Sequence, residues 1–117
     1  MSETQSNKPA KAQADYLPAH RDLYFGGAWH KPLGGYVETF NPATGESLGQ
    51  CAEANAADVD AAAKAAHAAF REWRHSAPDV RAKALREIAH IMRSNREELA
   101  MLDAMNCGNP VKALMHD

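Results

Sequence analysis

Two cysteines in 117 residues are too few for a disulfide framework, and Cys51 and Cys107 stand too far apart in sequence to form a Cys-x-x-Cys pair. No stretch approaches the roughly 20 apolar residues that a membrane span needs. The first twenty residues, MSETQSNKPAKAQADYLPAH, lack the apolar core of a secretory signal. Charge of one sign is also missing: 13 Lys and Arg stand against 15 Asp and Glu. A net charge of −2 gives no broad attraction for a polyanion, which argues against a dedicated nucleic-acid binder. Absent too are the glycine patterns that cradle phosphates, G-x-G-x-x-G and G-x-x-x-x-G-K-[ST], and the nucleophile elbow G-x-S-x-G. These absences leave a reduced cytoplasmic protein, without membrane or nucleic acid as partner, as the expectation.

What is present is globular in composition, at 45% apolar residues, and short enough for one domain at most. Residues 1–20 are polar and aperiodic, and are expected to form a disordered tail. From Leu23 the texture changes. "LYFGGAWH" sets β-prone aromatics around Gly26-Gly27, and "KPLGGY" punctuates the chain again. "YVETF" alternates as a strand does, and "NPATGE" (41–46) turns it. Pro42 pre-sets φ, Asn41 can bond its own backbone, and Gly45 tolerates positive φ. "SLGQCAE" returns as a strand. Residues 21–53 therefore predict two or three short antiparallel strands.

Three helices follow. Asn55 with Asp58 is a cap and an acidic partner for the first, whose Val59, Ala62, Ala66, Phe70 and Trp73 recur at helical spacing. Ser76 is the expected cap of the second, with Pro78 in its first turn and Val80, Leu85, Ile88 and Met92 as its stripe. Asn95 and Glu98 predict a capping box for the third, with Leu99, Leu102 and Met105 facing inward and Gly108 just past its end. Pro110 opens one more helix that stops after about two turns, which reads as a cut.

No catalytic constellation emerges from these residues. Cys51 lies in a strand with no His close in sequence, so the setting that lowers a thiol pKa is missing. Cys107 sits near a helix C-terminus, where the dipole disfavours a thiolate. None of the six histidines pairs at i, i+4 or joins a Cys at metal-ligand spacing.

The order of the pieces is nevertheless specific. "LYFGGAW", "FNPATGE", "ANAADVDAAAKAAHAAF", "SAPDVRAKALREIAHIM" and "REELAMLDAMNCGNPV" together resemble the N-terminal region of the NAD(P)+-dependent aldehyde dehydrogenase superfamily, over about residues 22–117. The resemblance implies an α/β fold. Antiparallel strands and three amphipathic helices over 21–117 would form an incomplete part of a Rossmann-like cofactor-binding domain. It also implies a longer enzyme, homo-oligomeric when complete, that uses NAD or NADP to oxidise an aldehyde. There a thiolate adds to the carbonyl, hydride leaves to the nicotinamide, and a base-activated water hydrolyses the thioester. The catalytic cysteine, the general-base glutamate and most cofactor contacts would lie outside this chain. The "GQC" at 49–51 lacks the spacer of the family's catalytic motif, so Cys51 is expected to be structural.

Two site expectations carry over from the resemblance. Some members hold a monovalent cation with carbonyls before the Asn-Pro turn and a carboxylate before a Gly-x-Pro. The matching positions are Thr39, Phe40 and Asn106, with Asn106 replacing the carboxylate. Asp117 matches a position near the substrate entrance. The alternative is a standalone helical interaction module, or a regulatory remnant that binds an intact paralogue. A segment of a larger enzyme should leave parts of its helical stripes uncovered, and a self-sufficient module should bury them.

Overall fold

A computed structural model describes residues 11–114 of the chain. Two hairpins come first. Leu23–Phe25 (β1) and Ala28–His30 (β2) pair antiparallel, with Tyr24 opposite Trp29. Gly26 and Gly27 form the connection at φ 59° and 80°, and two positive φ values in succession match the right-handed twist of the flanking strands. Tyr36–Phe40 (β3) and Ser47–Ala52 (β4) make the second hairpin, with the register broken between Thr39 and Phe40. Two or three strands are expected over 21–53; among the described residues four form, in two separate two-stranded sheets. Arg21 ties the hairpins together. Its carbonyl accepts from the Ala52 N–H at 3.1 Å, and its guanidinium donates to the Leu48 carbonyl at 3.0 Å.

The Asn-Pro turn forms as its residues dictate. Asn41 Oδ1 accepts from the Ala43 N–H at 2.9 Å, the Asn41 carbonyl accepts from Gly45 at 2.7 Å, and Gly45 adopts φ 74°. Asn41 is buried, and its amide also donates to Gln13 Oε1 at 3.3 Å. That last contact belongs to a short 3₁₀ turn, Gln13–Tyr16, which lies against the third long helix. Lys11, just before it, pairs with Glu98. Within the stretch 1–20 expected as a disordered tail, Gln13 and Lys11 thus make a hydrogen bond and an ion pair to the rest of the chain. Residues 1–10 lie outside the described residues.

Ala56–Trp73 (α1), Pro78–Ser94 (α2) and Arg96–Cys107 (α3) are the long helices, followed by Val111–Leu114 (α4). The Asn55–Asp58 pair caps α1 reciprocally, with Asn55 accepting from the Ala57 and Asp58 N–H groups. The other two expected caps do not form. The Ser76 hydroxyl donates backward to the Trp73 carbonyl at 2.7 Å, closing α1, while Ala77 occupies the cap position of α2. Pro78 at the start of α2 has no N–H to satisfy, which lessens the need for a capping side chain. Asn95 likewise turns backward, its amide donating to the Ile91 carbonyl at 2.8 Å, so its side chain does not reach the first turn of α3. Both side chains satisfy the carbonyls of the helix just ended.

The core is small. Among the described residues only Leu48, Ala100 and Met105 are buried apolar side chains. Of the stripe of α1, Val59, Phe70 and Trp73 are exposed, as are all four stripe residues of α2 and Leu99 of α3. The molecule measures only 21 Å across its thinnest dimension, about two helix diameters. Among the described residues no helix is long and apolar enough to cross a membrane.

Candidate functional site

Chemistry-bearing side chains gather at two places. The first is the N-terminus of α1, where Asp58 is only 5% exposed. Its Oδ2 accepts from the backbone N–H groups of Asn55 at 3.0 Å, Leu33 at 2.9 Å and Gly34 at 3.3 Å. The Asn55 contact completes the cap; the other two fasten the loop between β2 and β3 to the helix. Gly34 is required here for space. A Cβ on it would lie 2.3 Å from the Glu53 carbonyl oxygen and 3.0 Å from the Asn55 nitrogen. One carboxylate oxygen, Oδ2, holds all three backbone donors, so this is a structural clamp. Spacing along α1 identifies Asp58 as a cap, but no periodic signal links it to residues 33 and 34.

The second place is the Asn-Pro turn and the end of α3. Gly108 adopts φ 78°, its N–H bonds to the Ala104 carbonyl at 2.9 Å, and a Cβ on it would lie 3.1 Å from Pro42 Cγ. The C-terminal end of α3 therefore abuts the turn that follows β3. Thr39 and Phe40 stand beside the break in the β3–β4 ladder: they pair with Gly49 and Ser47, and the extra residue is Leu48 on β4, whose carbonyl accepts from Arg21. The Thr39 hydroxyl donates to the Gly49 carbonyl at 3.1 Å. Asn106 is exposed at the end of α3, and its amide lies 3.8 Å from Cys107 Sγ. No hydrogen bond joins Asn106 to Thr39 or Phe40 among the described residues. Asp117 lies outside the described residues.

Elsewhere several polar groups are already partnered. A hollow open to solvent is lined by His20, Arg21, Asp22, Tyr36 and Gln50. Arg21 is held by Leu48, and the Tyr36 hydroxyl donates to the Asp22 carboxylate. That hydrogen bond, with smaller contributions from burial and the Asp22 charge, raises the Tyr36 phenol above its ordinary value of 10.0. His20 stacks on Trp29 with centroids 4.4 Å apart. Cys51 and Cys107 are both exposed free thiols. Among the described residues no group of three or more His, Cys, Asp or Glu could hold a metal ion.

A nucleotide finds no fit in these residues. Gly26-Gly27 turns a hairpin, and Gly34 presses against the Glu53–Asn55 backbone with its N–H committed to Asp58. Neither glycine pair forms the strand-to-helix turn that presents free N–H groups to a phosphate. Any dinucleotide would have to be held by other residues.

A sequence profile of the Aldehyde dehydrogenase family matches residues 29–117. The aldehyde dehydrogenase tropH of Talaromyces stipitatus is 41% identical over 102 residues, covering 86% of this chain and 20% of the relative. A solved NAD+ complex of aldehyde dehydrogenase from Bacillus cereus superposes with a TM-score of 0.82 at 33% identity, covering 93% of this chain and 23% of that one. Aldehyde dehydrogenase C from Pseudomonas syringae, solved with NAD+ and octanal, gives a TM-score of 0.80 at 33% identity over 86% of this chain and 21% of that one. The chain belongs to the aldehyde dehydrogenase family, and its hairpins and helices are part of that family's α/β architecture. It spans about a fifth of the length of the relatives it matches.

Proposed function

We propose that these residues are the N-terminal segment of an NAD(P)+-dependent aldehyde dehydrogenase, a cytoplasmic homo-oligomer that oxidises an aldehyde to a carboxylic acid. The catalytic cysteine and general-base glutamate belong to the remainder of that enzyme, and this segment alone is inactive. The carrying observation is the match to aldehyde dehydrogenases along almost the whole chain at a TM-score of 0.82. NAD is favoured because two of the matched neighbours were solved with NAD+. The role of residues 21–117 is to brace the cofactor-binding domain. The uncovered stripes of α1 and α2 support this, since side chains such as Leu85 and Ile88 call for protein packed over them.

The intact mass of the native polypeptide tests the reading. A mass several times 12.7 kDa is expected. A native mass of 12.7 kDa would overturn it in favour of a module that binds an intact paralogue.

Thr39, Phe40 and Asn106 form the proposed monovalent-cation site of the same enzyme. Support comes from the place of Thr39 and Phe40 at the end of β3, just before the Asn-Pro turn, and from the abutting end of α3, whose dipole is negative there. Asn106 brings an amide oxygen where a carboxylate would bind more strongly. Replacing it by Asp in the complete enzyme should increase stabilisation by sodium or potassium relative to choline at equal ionic strength. An unchanged response would remove Asn106 from the site.

A further inference from the structure

We draw no further inference here: the strongest candidate, the exposed apolar stripe of Val80, Leu85, Ile88 and Met92 along α2, is an unpartnered helix face, and nothing in the structure shows what would cover it beyond the remainder of the enzyme already proposed.

Discussion

Asp58 concentrates more of the local architecture than any other side chain, because one carboxylate oxygen serves three backbone donors from two segments. Removing it leaves N–H groups without their acceptor and strips the helix of half its cap. Asp58→Ala should destabilise the region by about 2–4 kcal/mol. Amide exchange at Leu33, Gly34 and Asn55 should accelerate at least tenfold, and unchanged protection there would contradict the clamp. The neighbouring glycines give a sharper comparison. Gly34→Ala drives a methyl into backbone that cannot move aside cheaply. Gly35→Ala meets open space and incurs only the strain of φ 89°, about 1–2 kcal/mol. Gly34→Ala should therefore be the more damaging in chemical denaturation, although both are glycine-to-alanine changes one residue apart. Tyr36 supplies a pH signature. Its protonated phenol is favoured by Asp22, so this contribution is complete below pH 10 and is lost as pH rises through the raised value. Ultraviolet absorbance should show a late-titrating phenol, and Asp22→Asn should abolish the delay.

At the scale of elements, helix ends separate into those that depend on a capping side chain and those that do not. Asn55→Ala should weaken α1 by about 1 kcal/mol. Ser76→Ala and Asn95→Ala should leave the starts of α2 and α3 nearly unchanged, because neither side chain reaches forward. Helix content by circular dichroism across the three variants would show the contrast. Much of this layer is legible in the sequence. The three helices, the Asn-Pro turn and the glycine ends follow from local propensities that depend on a few adjacent residues. Ser76 and Asn95 show the limit: a polar residue between two helices can satisfy the carbonyls behind it or the N–H groups ahead, and composition does not distinguish them. Gln13 with Asn41, and Asp58 with Leu33, show another, since such pairs depend on how distant segments meet. At the second site the proximity of Gly108 to Pro42 is likewise tertiary. The sequence supplied only the residue types through family resemblance.

For the whole molecule the governing feature is how little it buries. Leu85 is 67% exposed and Ile88 54% exposed, so Leu85→Ser and Ile88→Ser should each change the stability of this chain alone by less than about 0.5 kcal/mol. In the complete enzyme proposed above, covering these side chains should raise the cost of either substitution to about 2–3 kcal/mol. Equal small effects in both contexts would mean that the face stays open in the enzyme as well. The same exposure predicts that the isolated chain binds hydrophobic dyes or self-associates, which fluorescence and light scattering would detect. A monodisperse chain that melts cooperatively and binds no dye would count against the open faces. The two hairpins reinforce the point, since each is a two-stranded sheet that gains independent stability only when packed against something else.

The open stripe of α2 has a consequence in time as well as in space. In the proposed enzyme this segment leaves the ribosome first, and relatives five times its length imply roughly 400 residues still to be made. At about 5–20 residues per second, that remainder takes roughly 20–80 s to synthesise. Until the covering segment is made, Val80, Leu85, Ile88 and Met92 stand as a helix face with no cover. Nascent chains stalled far enough beyond residue 117 for α2 to have cleared the ribosome should therefore be preferred clients of ribosome-associated chaperones, and polar substitutions along α2 should release them.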